Sequence, residues 1–393
     1  MALTEKGIMA LNYINKFFAD GTEFSAADLS TKAEVKIVAK VFEPLVKNCY
    51  LERLGGSPVM FKVSKDFEDL FKATVNEATT VSNENLHNAK REKNDEFYTV
   101  YEDIEAELLK YKKYFRGKVV YLPCDDPLLR GGRGSEFWNY FETNFMSFGL
   151  KKLIATHYSE DGDAYKIWIE NDINNDGYID GDDVLQEDLL GNGDFNSPEC
   201  REILKECDIV VTNPPFSMFR DFLKWIISED KQFLIIGNKN AYTYKEVFPL
   251  INDNKVWVGY TVPGKIFHTP EGDTKKMSGL CRWFTNMPVA RRNEELILTS
   301  KYNEFNYPKY DNYKAIEVGE VKLIPKDYDG VMGVPITYID HYNPNQFEMI
   351  GMTASWDESE PMKELKTSKK YRHAPRINDE EIYRRILIKK KAK

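Results

Sequence analysis

The run Asp208-Ile209-Val210-Val211-Thr212, halted by Asn213-Pro214-Pro215-Phe216, constrains the fold more than any other stretch of the chain. Consecutive apolar and β-branched residues read as a buried strand. Proline cannot continue such a strand, and two in succession fix the angle at which the chain leaves it. Around this run, apolar segments of strand length alternate with segments of helical period. Val119-Val120-Tyr121-Leu122, Lys152 to Ala155 and Phe233 to Ile236 read as further strands, with Phe137 to Phe145, Pro198 to Glu206 and Phe219 to Ile227 as helices. This alternation predicts an α/β fold, a doubly wound Rossmann-like sheet whose ligands sit at the carboxyl ends of its strands.

The residue types at the corner suit a defined chemistry. The carboxamide oxygen of Asn213 and the backbone carbonyl of Pro214 can each accept a hydrogen from one planar NH2 group. Double acceptance pulls that nitrogen toward sp3 character, so its lone pair can attack a methyl sulfonium. Pro215 stiffens the corner, and Phe216 offers a ring face on which a base can stack. The same tetrapeptide is also an ordinary strand-to-loop breaker. Its place after a buried strand in an α/β chain favours the catalytic reading.

Composition narrows the classes. A chain of 393 residues has the length for two or three domains and a large core. No segment approaches the ~20 continuous apolar residues of a membrane span, and Met1 to Lys6 lacks the apolar stretch of a secretory signal. Cys49, Cys124, Cys200, Cys207 and Cys281 are scattered and odd in number, which suits a reduced cytoplasm rather than a disulfide framework or a zinc site. The net charge of −9 is concentrated: Glu160 to Asp188 holds eleven acids and one lysine, whereas Lys363 to Lys393 holds twelve Lys/Arg and four acids. The basic tail reads either as a solvated terminus or as a source of the phosphate contacts that dominate DNA affinity.

Residues 1–64 read as a separate winged helix-turn-helix module. Thr4 caps a helix whose apolar positions include Ile8, Leu11, Ile14 and Phe18, and Ser25-Ala26-Ala27-Asp28 opens a short second helix with a capping box. A third helix turns Val35, Val38, Phe42 and Leu45 inward and spaces Lys32, Lys36 and Lys40 along another face. Tyr50 to Leu54 and Val59 to Val63 form a hairpin about Gly55-Gly56-Ser57-Pro58. Such modules contact DNA through the third helix or dock protein, and both readings stay open. Residues 65–94, polar from Ser82 to Asn94, read as a linker.

Beyond the linker, the first strand ends in Cys124-Asp125-Asp126-Pro127, followed by Gly131-Gly132-Arg133-Gly134 and a helix start at Ser135. Acids at a strand end suit the cationic sulfonium and ammonium of S-adenosylmethionine. A phosphate-bearing cofactor would want bare backbone N–H groups or lysine. The next strand runs into His157-Tyr158 without an acid. Gly191-Asn192-Gly193-Asp194-Phe195 supplies another acid beside an aromatic, suited to bonding an adenine amino group and stacking on its ring. Each piece alone is an ordinary loop; their succession toward Asn213 joins them.

Together, Asp95-Glu96-Phe97-Tyr98-Thr99, Cys124 to Pro127, Gly191 to Phe195, Asn213 to Phe216, Leu234 to Asn238, Gly333-Val334-Pro335-Ile336-Thr337 and Tyr383 to Ile388 resemble the EcoRI-type adenine-specific DNA methyltransferase family over about residues 90–390. The resemblance implies methyl transfer from S-adenosylmethionine to N6 of adenine in double-stranded DNA, on a base turned out of the duplex. It implies that Phe97, Tyr98 and Thr99 lie over the cofactor, with Asp125, Asp126, Pro127, Asp194 and Phe195 near it. It implies that Asn213 and Pro214 accept from the adenine amino group, within the rigid Pro215 corner, while Phe216 stacks on the base. Residues 95–290 then form the catalytic domain and 291–393 an α+β target-reading region, in a cytoplasmic monomer with double-stranded DNA as partner and a cognate restriction endonuclease as a further candidate. Two features depart from the family pattern: the longer loop Arg130 to Gly134 and the added N-terminal module. The Asn-Pro-Pro-aromatic corner also serves enzymes that act on other substrates, so methylation of cytosine N4 or of RNA stands as an alternative, and a non-catalytic winged-helix regulator as another.

Two stretches stay outside this scheme. Asp172 to Asp183 follows the EF-hand calcium-loop pattern, with oxygen ligands at positions 1, 3, 5 and 9, glycine at 6 and an acid at 12. Position 12 is Asp rather than Glu, and Tyr165 to Ile169 alternates like a strand rather than an entering helix. A turn-rich hairpin tip is the other reading, and no residue is assigned as a metal ligand. In the C-terminal third, Arg291, Arg292, Lys369, Lys370, Arg372, Arg376, Arg384 and Arg385 are either phosphate or base contacts or solvated charges.

Overall fold

The computed structural model describes residues 10, 13–15, 17–18, 21–33, 42–55, 58–67, 70, 98–125, 135–159, 163–264, 266–268, 274–276, 279–367 and 373–391. The chain divides into two units between Lys93 and Asn94, where the expected linker ends. In the first unit, helical residues between 10 and 18 precede strand β1 (Phe24–Ser25), helix α1 (Ala26–Ala33), helix α2 (Phe42–Lys47) and strands β2 (Leu51–Gly55) and β3 (Met60–Val63). The strands form an antiparallel sheet in the order β1-β3-β2. The capping box is made: Ser25 N–H and Oγ donate to Asp28 Oδ2 at 2.8 and 2.7 Å, and Asp28 N–H donates to Ser25 Oγ at 3.2 Å. Rings fill the centre, with Phe18 stacked on Phe24 at 4.4 Å and Phe42 edge-on to Phe61 at 4.8 Å.

Two features differ from the sequence-based expectation. The hairpin gains a third strand, β1, whose two residues are too few to register as alternation. Lys32 falls in the last turn of α1 rather than on the third helix, and its ammonium lies 4.6 Å from the Phe18 ring centroid. Val35, Lys36, Val38 and Lys40, like the linker from Ser82 to Asn94, lie outside the described residues.

The second unit opens with β4 (Tyr98–Thr99) and helix α3 (Tyr101–Leu108). There follow β5 (Val119–Leu122), α4 (Glu136–Phe148), β6 (Lys152–Thr156), β7 (Tyr165–Ile169), β8 (Leu185–Asp188), α5 (Pro198–Glu206), β9 (Ile209–Thr212), α6 (Phe219–Ser228) and β10 (Gln232–Asn238). Strands β11 (Trp257–Val258), β12 (Ile266–His268), β13 (Thr274–Lys276) and β14 (Cys281–Thr285) complete this part. The main sheet has the order β11-β14-β10-β9-β5-β6-β7-β8. Only its centre, β10-β9-β5-β6, is parallel; β14 and β11 on one side and β7 and β8 on the other run antiparallel. The doubly wound sheet expected from the sequence is therefore the middle of a larger mixed sheet.

Burial on both faces explains why the central strands are unbroken apolar runs. Val119, Tyr121, Val210, Phe233 and Ile235 face one core, covered by Ile203 and Leu204 of α5 and by Phe222, Trp225 and Ile226 of α6. Val120, Leu122, Val211, Leu234 and Ile236 face the other, covered by Phe137, Trp138, Phe141 and Phe145 of α4. Each such side chain contributes about 1.5–3 kcal/mol by leaving water. The chain leaves β5 for β6 on one side and returns to β9 on the other, so the carboxyl ends of β5 and β9 flank the crevice at the switch of direction.

The C-terminal part adds β15 (Ile316–Glu317), β16 (Met332–Val334), β17 (Phe347–Met352), the short pair β18 (Arg376–Ile377) and β19 (Glu380–Glu381), and β20 (Ile386–Lys390). Four of these make a sheet in the order β15-β16-β20-β17. Its Met332, Val334, Phe347, Ile386 and Ile388 share the core with α5 and α6, and residues 94–393 form one unit with no division at 290/291.

Candidate active site

Asp125 follows β5 and is 4% exposed, yet it is a carboxylate. Its burial is supported by three donors from two elements. Ser135 Oγ, at the start of α4, donates to its Oδ1 at 2.9 Å, while Thr212 Oγ1 and the Asn213 N–H (3.3 Å) donate to its Oδ2. Ser135 also caps α4 by accepting from the Phe137 N–H at 3.1 Å. The last residues of β9 are thus tied across the switch point to the end of β5.

The Asn213 side chain is oriented from the other direction. Its Nδ2 donates to Oγ1 of Thr99, a buried residue of β4, at 3.3 Å. That contact sets the amide orientation and leaves Oδ1 buried at the opposite edge of the carboxamide. Pro214 is buried and Phe216 half-buried against the core of α4. The Pro215 carbonyl accepts from the Met218 N–H at 3.0 Å, so the corner passes through one tight turn directly into α6. The junction places the Asn213 carboxamide and the prolyl corner, followed by Phe216, at the carboxyl ends of β5 and β9.

The loop between β8 and α5 borders the same crevice. Gly193 adopts φ +76°, and a Cβ there would collide with the His157 carbonyl oxygen, so the loop lies flush against the end of β6. Ser159 N–H donates to the Asn192 carbonyl at 2.9 Å and seals the contact. Asp194 Oδ1 accepts from the Asn196 N–H at 2.7 Å, closing the turn that leads into the Ser197 cap of α5. Phe195 is buried, with its ring edge-on to Phe222 at 5.1 Å and to Trp225 at 5.3 Å. It is a core residue at the edge of the crevice, where the sequence suggested an open stacking face.

Of the residues singled out from the sequence, the structure brings Thr99, Asp125 and Asn213 into one hydrogen-bonded junction, with Pro214, Pro215 and Phe216 next in the chain. Phe97, Asp126, Pro127 and the loop Arg130 to Gly134 lie outside the described residues, as does the side chain of Tyr98. Ser135 and Thr212 were not singled out; a hydroxyl just before the Asn-Pro-Pro corner is the signal that could have found the second. Several candidate DNA-contacting arginines have partners within the protein. Arg291 Nη1 donates to the Tyr260 carbonyl at 2.8 Å, Arg292 lies 4.3 Å from the Trp257 ring centroid, Arg376 Nη1 meets Glu381 at 3.5 Å, and Arg385 pairs with Glu317 at 2.7 Å. Arg384 is exposed; Lys369, Lys370 and Arg372 lie outside the described residues.

In the loop Asp172 to Asp183, carboxylates accept from the chain's own backbone: Gly177 N–H donates to Asp172 at 2.8 Å and Ile173 N–H to Asp183 at 2.6 Å. No cluster of three or more His, Cys, Asp or Glu side chains placed to hold a metal occurs among the described residues. No helix among them is long and apolar enough to cross a membrane.

Residues 85–391 match the family described as adenine-specific methyltransferase EcoRI. The chain is 44% identical over 340 residues to the type II methyltransferase M.EcoRI of Escherichia coli, across 80% of this chain and 98% of that protein. It is 37% identical over 332 residues to the type II methyltransferase M.MgeORF184P of Mycoplasma genitalium, across 78% and 98% respectively. It is 38% identical over 290 residues to the type II methyltransferase M.MpnI of Mycoplasma pneumoniae, across 69% and 86%.

Proposed function

The chain belongs to the EcoRI-type adenine-specific methyltransferase family, and on that premise we propose that Asn213 and Pro214 clasp the target amino group of this site-specific DNA adenine methyltransferase. The observation that carries the assignment is the junction at the switch point. Asp125 accepts from Thr212 and from the Asn213 backbone, while Thr99 receives the Asn213 amide. Asn213 Oδ1 and the Pro214 carbonyl each take one hydrogen of N6, which removes the nitrogen lone pair from conjugation with the ring. Phe216 stacks on the adenine once it has left the duplex. The amino proton departs with or after transfer, so the site requires no strong general base.

S-adenosylmethionine, when bound, supplies the electrophilic methyl group. We assign its binding to Phe97, Tyr98 and Thr99 on one side and to Asp125, Asp126, Pro127, Asp194 and Phe195 at the strand ends. The loop Gly191 to Phe195 supports this fit: Gly193 has no room for a side chain against His157, which holds Asp194 at the edge of the crevice. Asp125 acts here chiefly as the group that fixes Asn213. Phe195, packed on Phe222 and Trp225, forms wall rather than a free stacking surface.

The order of elements in the first unit, with β1-β3-β2 pairing, supports a winged helix over residues 1–64, to which we assign a second contact with DNA. Residues 291–393 are assigned to target reading, with exposed Arg384 among its phosphate contacts. We place the enzyme in the cytoplasm as a monomer, with a cognate endonuclease as its functional counterpart. Labelled methyl transfer to duplex DNA tests the site. Asn213→Ala should lower the single-turnover rate by about 10²–10³-fold, the usual loss when one preorganised transition-state contact is removed. Undiminished transfer by that variant rejects the assignment, and mass spectrometry of the product nucleosides identifies the methylated base.

A further inference from the structure

Helix α3 begins two residues after Thr99, and of its four carboxylates Glu107 is the one turned fully inward. Glu107 is fully buried and accepts four hydrogen bonds. They come from the N–H groups of Tyr260 (2.7 Å) and Thr261 (2.6 Å), the Thr261 hydroxyl (2.7 Å) and the Tyr111 hydroxyl (2.9 Å). A Cβ at Gly259 would collide with the Glu107 carboxylate and lie 2.7 Å from Trp283 Cβ, so the segment enters the clamp with no clearance. Tyr260 is held further: its ring meets Tyr111 edge-on at 5.5 Å, its hydroxyl accepts from the Ala290 N–H, and its carbonyl accepts from Arg291. Burial pushes the Glu107 carboxyl above its ordinary range, against the pull of its four donors.

The segment clamped in this way runs into β12, which lies antiparallel on β4 with Phe267 opposite Thr99 and His268 opposite Tyr98. Residues 98–108 therefore grip residues 260–268 twice, once by the Glu107 carboxylate and once by strand pairing. Thr99 is a member of the paired strand, and its hydroxyl receives the Asn213 amide. A buried carboxylate is a poor source of net stability, but the directions of its acceptor lone pairs fix geometry closely.

We propose that Glu107 is a positioning residue for methyl transfer: by pinning residues 260–261 it holds β12 on β4, and through Thr99 it sets the Asn213 carboxamide. The proposal rests on Asn213 being the acceptor of the target amino group. It predicts coupling between the clamp and Thr99, which a merely structural role would not produce. The test is single-turnover methyl transfer to duplex DNA, at saturating DNA and methyl donor, for Glu107→Gln, Thr99→Val, their double mutant, Thr261→Val and Asn213→Ala, with melting curves for each. Glutamine keeps the volume of Glu107 but turns an NH2 group toward backbone donors. Glu107→Gln and Thr99→Val should each slow transfer about tenfold, and the double mutant no more than either alone, because one chain of contacts is broken in both. Thr261→Val, which removes only the hydroxyl donor, should slow transfer about threefold; paired with Thr99→Val it decides the question if Glu107→Gln does not fold. Multiplying losses in the double mutants, or parental rates in Glu107→Gln and Thr261→Val beside an inactive Asn213→Ala, overturn the positioning role and leave the site intact. An active Asn213→Ala overturns the site reading instead.

Discussion

Replacing Asp125 tests the junction most directly, because the structure gives it three donors and almost no solvent. In Asp125→Asn the shape is retained but the charge is lost. The best orientation keeps oxygen toward Thr212 and Asn213, since the Asn213 N–H cannot become an acceptor, and turns NH2 toward Ser135. Hydrogen bonds to a charged group contribute about 1.5–3 kcal/mol and neutral ones about 0.5–1.5, so losing the charge on three bonds costs about 3–4.5 kcal/mol. In Asp125→Ala the Asn213 N–H and two hydroxyls lose their acceptor outright, at about 1–3 kcal/mol for each group, and the cost rises to as much as about 9 kcal/mol. The Asn213 backbone then drifts, and a displacement of about 1 Å at a reacting group lowers the rate about 100-fold. Urea unfolding followed by tryptophan fluorescence measures the first quantity, and single-turnover methylation at saturating cofactor the second. The reasoning fails if Asp125→Ala unfolds within about 0.5 kcal/mol of the parent, the range of ordinary surface changes, or if Asp125→Asn transfers methyl at the parental rate.

Gly193→Ala places a methyl group into the His157 carbonyl at a backbone φ of +76°. The left-handed conformation alone costs about 1–2 kcal/mol, and the loop must also move, so affinity for S-adenosylhomocysteine should fall about tenfold by titration calorimetry, equivalent to about 1.4 kcal/mol; unchanged affinity would place the cofactor elsewhere. Acid should weaken the start of the central sheet through Asp208. Burial pushes its carboxyl up, but the Val119 N–H and Lys118 outweigh that and hold it below the ordinary 3.8. A carboxyl depressed in the folded state adds stability above its unfolded pKa and loses it as pH falls through the folded value. The stability difference between the parent and Asp208→Asn should therefore be full at neutral pH and shrink as pH drops below about 4; a difference independent of pH would contradict this assignment.

How much could be read in advance followed from burial. Val119–Leu122, Lys152–Thr156, Ile209–Thr212 and Gln232–Asn238 are buried on both faces of the sheet, so each is an apolar run that the chain displays openly. The flanking strands β7, β8 and β14 were visible at most as short β-like stretches, and nothing local states that they run antiparallel. That direction is decided by long-range pairing such as Ile236 with Trp283. Asn213 was legible because its proline corner is chemically distinctive. The hydroxyl of Ser135 was not, because a serine matters only through what it faces; that of Thr212 was marked only by its place before the Asn-Pro-Pro corner. Phe195 was read as a stacking face on adjacency to Asp194, but alternate positions of a strand-end loop point opposite ways, and Phe195 points into the core. Glu107 was hidden in an amphipathic helix, where an acid ordinarily looks outward.

The closure of β4 against β12 bears on when this enzyme becomes active during its own synthesis. A nascent chain that has left the ribosome only as far as Phe216 already contains Thr99, Asp125 and Asn213, yet it lacks the strand that pairs with Thr99. Non-local pairings of this span form late. Under the proposed role of Asn213, the corner therefore stays incomplete until Ile266–His268 emerge and fold back onto β4.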